Sequence, residues 1–88
     1  MVEPKKVFNT RELIGEYIVV IPKIPNVKYS GVMLEYFERN NAVVLKDYVV
    51  HVKDEEGKWV VDEEGDILII KGDCWAEIRC PKFGKVKE

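Results

Sequence analysis

The stretch that decides the fold lies near the carboxyl end and reads Asp66-Ile67-Leu68-Ile69-Ile70-Lys71-Gly72-Asp73-Cys74-Trp75-Ala76-Glu77-Ile78-Arg79-Cys80. Its first five residues are mostly β-branched or leucine, and they predict a strand. Residues 71–73 predict a short turn, and residues 74–80 predict a last strand that Pro81 ends. Both strands carry few of the charges that normally protect an exposed sheet edge. We therefore expect a strand from another subunit to cover them.

The amino-terminal part of the sequence predicts one short helix. Asn9 and Glu12 fit the two ends of a capping box, and Phe8 and Leu13 have the spacing of a hydrophobic staple. Gly15 follows closely enough to end the helix after little more than one turn. Because so short a helix is not stable alone, we expect it to dock on the rest of the fold.

The remaining sequence predicts strands. Residues 17–21 form a continuous apolar run suited to a strand covered on both faces, and further strands are predicted at 27–39 and 42–52. Gly31 is the expected bend point of the second strand, and the adjacent aromatic residues Tyr36 and Phe37 break its alternation as a bulge would. Residues 58–70 predict a fourth strand with a turn or bulge at 62–65.

The order of these elements predicts an all-β fold, in which a short N-terminal helix is followed by a five-stranded, strongly bent barrel of the SH3-like kind. We expect one domain over residues 1–88, with a loose lead-in at 1–7 and a frayed tail at 82–88. No repeat or linker divides the chain.

Composition and charge narrow the class of protein. Apolar residues make up 47% of the 88 residues, too many for a disordered chain, and 34% are charged, too many for a membrane-embedded one. No apolar segment follows the first residues as in a signal peptide, so we expect a cytoplasmic protein without membrane contact. The abundance of Lys, Glu, Val and Ile and the absence of Gln suggest a thermophilic source.

The net charge of −2 is an average over two unlike parts. Residues 53–66 hold seven acidic and two basic residues, whereas the rest of the chain holds 9 acidic and 12 basic residues. The acidic stretch predicts a solvated hairpin, or alternatively a docking surface for a basic partner. Charge therefore does not argue against nucleic-acid binding by the remaining surface.

Residues capable of catalysis are few. Ser30 and His51 are the only serine and the only histidine, and no nucleophile-elbow sequence surrounds the serine. Cys74 and Cys80 lie six residues apart in one predicted strand, about 20 Å and beyond disulfide reach. The glycines form no phosphate-binding loop, and the possible metal ligands lack the spacing of a zinc site. We therefore predict no catalytic residue, metal or cofactor, and no enzymatic activity.

Four stretches together resemble the Sm/Lsm family of ring-forming RNA-binding proteins, over about residues 8–81. They lie at 13–20, 30–34, 43–47 and 69–78, and the last, with its Lys-Gly-Asp, is the most specific. The resemblance implies a five-stranded barrel whose fourth and fifth strands pair between subunits and close a homo-oligomeric ring of six or seven copies. It also implies that the ring binds single-stranded, U-rich RNA as a scaffold or chaperone.

In that family a base stacks between a side chain of the turn before the third strand and an Arg of the second motif, while an Asn reads the base edge. This sequence has one residue more than the family pattern between Gly31 and Leu45. Counting forward from Gly31 puts Phe37, Asn40 and Asn41 at the positions of the family's Asp, stacking residue and Asn. Counting back from Leu45 puts Glu38, Asn41 and Ala42 there, and a bulge at residues 36–37 favours this count.

The resemblance thus implies an RNA site made of Phe37, Glu38, Asn40, Asn41, Lys71, Gly72 and Asp73. Lys71 replaces the family's Arg and supplies charge without a planar stacking surface. Two other readings stay open: an Sm-type oligomer that binds protein partners and has lost base recognition, and a monomeric barrel module of the SH3-like kind.

Overall fold

Five antiparallel strands follow a single helical turn in the computed structural model, which describes residues 9–81. The strands are β1 (Tyr17–Pro22), β2 (Val27–Phe37), β3 (Ala42–Lys53), β4 (Trp59–Ile70) and β5 (Trp75–Arg79). Two 3-10 turns, Thr10–Leu13 and Gly72–Cys74, precede β1 and β5. The predicted all-β class and strand order are confirmed, while the predicted lead-in and tail lie outside the described residues.

The strands form one sheet in the order β4-β3-β2-β1-β5. Each neighbouring pair is antiparallel, and β4 and β5 lie at the two edges. Within residues 9–81, neither outer edge has a pairing partner. The two strands that the sequence predicts to be covered by another subunit are therefore the edge strands of this sheet.

The predicted helix is a 3-10 turn of four residues, and its capping box does not form. The side chain of Asn9 makes no capping hydrogen bond, and the Glu12 N–H instead donates to the Asn9 carbonyl over 2.9 Å. The turn docks on β2, because the Gly15 N–H donates to the Met33 carbonyl over 2.8 Å and Leu13 is buried. Phe8, the predicted staple partner of Leu13, lies outside the described residues.

Gly31 permits a close approach of β2 and β3, as its predicted role at a bend requires. A Cβ atom at this position would lie 2.9 Å from the Lys46 carbonyl oxygen and 3.2 Å from the Tyr48 Cα. Both neighbours are backbone atoms, which cannot move aside as a flexible side chain can. Only glycine fits here without separating the two strands.

The predicted bulge at Tyr36–Phe37 is wrong, since these residues pair regularly with Val43 and Ala42. The additional residue of β2 lies between Met33 and Glu35, at Leu34. A second bulge compensates for it: between Lys46 and Val49, β3 has one residue more than the facing segment of β2. Asp47, with φ of 51°, adopts the left-handed conformation in this second bulge. The pairing register is consequently the same at both ends of the β2–β3 hairpin.

Strand β4 covers nearly the predicted residues, but as one continuous strand. It runs without a break through residues 62–65, where only Asp62 bulges out of register with β3. The predicted hairpin turn at residues 53–57 is present, and the Asp54 carboxylate accepts hydrogen bonds from the N–H groups of Glu56 and Lys58. At the other end of β4, Cys74 belongs to the turn and β5 begins only at Trp75.

The core is made by the central strands. Its fully buried members are Ile18, Val20, Met33, Val43 and Leu45. The prediction that β1 is covered on both faces is wrong, because Tyr17 is 52% exposed while Ile18 and Val20 are buried. A strand with one covered face is usual in an antiparallel sheet.

The buried Tyr48 couples β3 to β4 and makes stability depend on pH. Its ring lies against Gly65, and its hydroxyl donates to Glu63 over 2.6 Å. That hydrogen bond, with burial and the negative charges of Glu63 and Asp66, raises the pKa of Tyr48 above its ordinary value. A raised pKa favours the neutral phenol of the folded state, so this contribution is complete below the ordinary pKa of about 10 and is lost as the pH rises through the folded value.

We therefore expect Tyr48→Phe to lower the thermal midpoint at pH 8 and to lower it less above about pH 10. Thermal unfolding followed by circular dichroism between pH 8 and 11 measures the difference from wild type. Tyr17→Phe is the control, because that side chain is half exposed. A Tyr48→Phe difference that does not change with pH would contradict the role of this hydrogen bond.

Candidate nucleic-acid interface

Two turns meet at one end of the sheet. Residues 38–41 connect β2 to β3, and residues 71–74 connect β4 to β5. They are neighbours because β3 and β4 pair up to their ends, with Val43 opposite Ile70. The family resemblance assigns the RNA site to these same two turns.

Direct contacts join the two turns. The indole Nε1 of Trp75 donates a hydrogen bond to the Asn41 carbonyl over 2.7 Å. Gly72 lies so close to the other turn that a Cβ atom would overlap the Asn40 carbonyl oxygen and come within 2.6 Å of the Asn41 Cβ. Glycine at position 72 is thus required by the approach of the two turns.

Asn41 is held at a position that few residues adopt easily. Its φ of 56° is left-handed, a conformation that asparagine tolerates better than most residues. The hydroxyl of the buried Tyr36 donates to Asn41 Oδ1. Because this bond uses the amide oxygen, the Nδ2 group is the part of the side chain that can donate to a base carbonyl. Asn40 has a different role, since its Oδ1 accepts from the Ala42 N–H over 3.3 Å and closes the turn.

The structure brings together some of the predicted site residues but not all. Asn40, Asn41 and Gly72 are in contact. Phe37, Glu38 and Lys71 are exposed at the same end, and in the described part of the chain no hydrogen bond or ion pair joins their side chains. Asp73 is also exposed, and its carboxylate accepts a weak hydrogen bond from the Cys74 thiol. The assignment of these seven residues to RNA binding stays a prediction.

Two residues that shape this end of the sheet have roles that sequence reasoning missed, although Trp75 was considered there as a possible stacking residue. Tyr36 orients the Asn41 amide, and Trp75 fixes the Asn41 carbonyl. The position of Tyr36, five residues before Asn41 across a tight turn, is the only signal that could have indicated its role. Arg39 is a third addition, because it lies exposed in the same turn and carries the planar guanidinium that Lys71 lacks.

The location of the bulge bears on the two ways of counting the motif. The additional residue lies at Leu34, before the turn, and the register from Glu35–Val44 to Phe37–Ala42 is regular. This favours counting back from Leu45, which puts Ala42 at the position of the family's Asn. Ala42 is 3% exposed and has no polar side-chain atom, so it cannot read a base.

The charges of the two turns cancel. Arg39 and Lys71 are basic, and Glu38 and Asp73 are acidic. An RNA strand here would therefore be held by stacking and hydrogen bonds more than by a strong positive field. We expect a shallow dependence of binding on salt, compared with proteins that neutralise many phosphates.

Other kinds of site are poorly supported by the described residues. Between residues 9 and 81, no group of three or more His, Cys, Asp and Glu side chains is placed to hold a metal ion. Ser30 is 4% exposed and offers no accessible nucleophile, and Cys74 and Cys80 are both free thiols. None of the helices in this part of the chain has the length and apolar character needed to cross a membrane.

Comparison with known proteins adds to the fold. No protein-family model matches the chain. No curated protein matches it either. Among solved structures, however, the chain has the fold of the Sm proteins, and the predicted Sm-like fold is confirmed. One similar structure is the crystal structure of a heptameric archaeal Sm protein, which is 13% identical and superposes with a TM-score of 0.57 over 78% of this chain and 90% of that chain.

Proposed function

We propose that this chain forms a ring-shaped homo-oligomer that binds single-stranded RNA and acts as a scaffold or chaperone for it in the cytoplasm. The proposal has two parts, the ring and the RNA site. Both are supported by the Sm fold, and the ring also by the heptameric assembly of the similar archaeal protein. No catalytic residue, metal or cofactor enters the proposal.

The two edge strands support the ring. In the described part of the chain, β4 and β5 have free outer edges, and β4 exposes large apolar side chains there. Ile67 is 49% exposed and Ile69 is 61% exposed. An edge with unpaired N–H and C=O groups beside exposed isoleucines favours pairing with another strand. Antiparallel pairing of β4 with β5 of the next copy would cover both edges at once, in a ring of six or seven copies.

The observation that most supports the proposed RNA site is the hydrogen bond from Trp75 Nε1 to the Asn41 carbonyl. It fixes the two turns relative to each other, so that the Asn41 amide and the turn containing Lys71 act on one strand of RNA. Asn41 Nδ2 would donate to a base carbonyl, and Phe37 or Arg39 would stack on the base. Stacking on an aromatic or guanidinium plane contributes about 1–3 kcal/mol per base.

A second function is favoured by one observation. The buried Ala42 stands at the motif position of the Asn in the count that the bulge supports. An Sm-type oligomer that binds protein partners without base recognition would tolerate this residue. The two functions differ in one measurable property, the affinity of the oligomer for short RNA.

Two measurements on wild type and three variants test the proposal. Native mass spectrometry gives the number of copies in the oligomer, and binding of a fluorescent oligo-U gives its RNA affinity. We expect Lys71→Ala to weaken binding about three- to tenfold, since a charged hydrogen-bond donor is lost. Lys71→Arg should strengthen binding, because the guanidinium adds a stacking plane. Asn41→Gly removes the amide without the strain that alanine would suffer at φ of 56°, and it should weaken binding to a similar extent.

Lys58→Ala is the matched control, because Lys58 is an exposed lysine in the hairpin turn at the far end of β4. It should change neither the number of copies in the oligomer nor the affinity for oligo-U. A ring whose RNA affinity is the same in all variants would exclude the site and favour the protein-binding function. A chain that is monomeric at every concentration would exclude the ring.

A further inference from the structure

The two edge strands differ in length, which leaves part of β4 uncovered even in a ring. Strand β4 has 12 residues and β5 has five. In an antiparallel ladder, a strand of five residues pairs with about five residues of its neighbour. In the proposed ring, β5 of the next copy pairs with the carboxyl end of β4, beside the exposed Ile67 and Ile69. This step rests on the ring of the proposed function.

The uncovered half of β4 has a distinct composition. Val60 and Val61 are 40% and 53% exposed, and Trp59 is 39% exposed although the ammonium groups of Lys28 and Lys53 lie 4.4 and 5.3 Å from its ring centroid. The next three residues are the exposed acids Asp62, Glu63 and Glu64. The Glu63 carboxylate accepts a hydrogen bond from the Tyr48 hydroxyl and is held in that position. Asp62 and Glu64 are therefore the carboxylates considered as partners for a basic segment. Two such edges would repel each other, so a second copy of β4 is a poor partner and a basic extended segment a good one.

Such a segment follows β5 in the sequence. Residues 82–88, which lie outside the described residues, read Lys-Phe-Gly-Lys-Val-Lys-Glu, with three lysines and two large apolar residues. The lysines of this segment thus complement the acids of the uncovered half of β4, and its apolar residues complement the exposed valines there. Pro81 has no N–H group, so the junction itself can contribute little to a ladder, and attraction between charges would provide much of the binding.

The direction of β5 in the proposed ring would lead residues 82–88 towards the uncovered half of the neighbour's β4. Strand β5 leaves the turn at residues 71–74, and an antiparallel neighbour runs back along β4 from Ile70. In a ring register with Trp75 opposite Ile70, Arg79 would lie opposite Asp66, and a continuation of that ladder would lead towards Glu64. In its own chain, β5 is separated from β4 by three strands, so only the β4 of a neighbouring copy is adjacent to such a continuation.

We propose that residues 82–88 of each copy bind along residues 59–64 of β4 in the adjacent copy, through the lysines and the acids Asp62 and Glu64. The segment then lengthens each contact between copies beyond the five residues of β5. It also covers the exposed Trp59, Val60 and Val61.

The test uses the full chain and a triple variant, Lys82→Ala/Lys85→Ala/Lys87→Ala. The matched control replaces the same three lysines by arginine, which keeps the charge. Hydrogen–deuterium exchange of β4 amides and dilution of the oligomer at 50 and 500 mM salt are measured. We expect the alanine variant to exchange faster at residues 59–65 and to dissociate at about tenfold higher protein concentration at low salt, with a smaller difference at high salt.

Charge reversal and mixing identify the partner. Asp62→Lys/Glu64→Lys should lose the protection, and adding Lys82→Glu/Lys85→Glu should restore it. Copies that end at Pro81 but keep the native β4 are then mixed with full copies carrying Asp62→Lys/Glu64→Lys. Protection of the native β4 in mixed oligomers shows that the segment comes from a neighbour.

The possible failures are distinguishable. An intact ring with unchanged exchange and dissociation in the alanine variant overturns this inference and leaves the ring standing. Protection that is not restored on mixing overturns the assignment to the adjacent copy. A monomeric wild type overturns the ring and, with it, this inference.

Discussion

Replacing Ile67 and Ile69 together by glutamate is expected to convert the proposed ring into monomers that remain folded. Both side chains are largely exposed in the single chain, at 49% and 61%, so the substitutions should change the free energy of unfolding of the monomer little. In the proposed ring they are covered by β5 of the next copy, and an unpaired carboxylate would be buried there. We expect a loss of about 3 kcal/mol or more per contact, which is over a hundredfold in the dissociation constant. Native mass spectrometry measures the species, and circular dichroism shows that the fold persists.

Val61→Glu is the matched control for this result. Val61 is 53% exposed on the same strand, but it lies beyond the five residues that β5 can cover, in the part of β4 proposed to face the lysines of residues 82–88. A carboxylate there faces lysines instead of β5, so the variant should still assemble. Dissociation by Val61→Glu as complete as that by the double variant would mean that β5 does not pair at the carboxyl end of β4.

Gly72→Ala is expected to have the largest effect on the RNA site. The added Cβ would overlap the Asn40 carbonyl and press on Asn41, so one of the two turns must shift. Separating the turns breaks the hydrogen bond between Trp75 and Asn41. We expect a loss of about 1–3 kcal/mol in the free energy of unfolding. RNA affinity should fall further than in Lys71→Ala, because the positions of both turns change at once.

Asp73→Ala is the control for the stability effect of Gly72→Ala, since it changes the next residue of the same turn at an exposed position. It should leave the unfolding free energy within about 0.5 kcal/mol of wild type in chemical denaturation. For oligo-U binding, where Asp73 is itself a predicted site residue, Gly72→Ala is compared with wild type and with Lys58→Ala. Wild-type stability and affinity in Gly72→Ala would show that the turns do not need their close contact.

Much of the fold can be predicted from the sequence because strand positions depend on local properties. The β-branched run at residues 66–70, the turn after it and the strand before Pro81 are each visible within a few residues. Gly31 is predictable as a bend point for the same reason. The resemblance then provides the order of these elements as a known fold, which the comparison with a heptameric archaeal Sm protein confirms.

The bulges could not be located in this way. The sequence pattern places a bulge at Tyr36–Phe37, where alternation breaks, but alternation reports only which side chains are apolar. Leu34 is 47% exposed although it is apolar, and so the pattern conceals the additional residue. A bulge is defined by the facing strand, here by the adjacent residues Val44 and Leu45 opposite Glu35 and Met33, and that information is not local.

The candidate site was predicted in composition but not in its internal contacts. Lys71, Gly72 and the two asparagines follow from turn sequences and from the resemblance. The contact of Trp75 with Asn41 spans 34 residues, and the need for glycine at position 72 arises only because another turn lies against it. Tertiary contacts of this kind leave no periodic signal in a single sequence.

The two compensating bulges of the β2–β3 hairpin have a consequence for how such a protein can change over evolutionary time. A single insertion in β2 would reverse every side chain beyond it, between core and solvent, up to the turn. With one additional residue in each strand, at Leu34 and beside Asp47, the mismatch is confined to the few residues between them. Homologues that lack both residues could therefore keep the same turn and the same distal hairpin. An insertion in β2 would then be accompanied by an insertion in β3. A sequence alignment that places a gap in only one of these strands would misassign the residues between the two bulges.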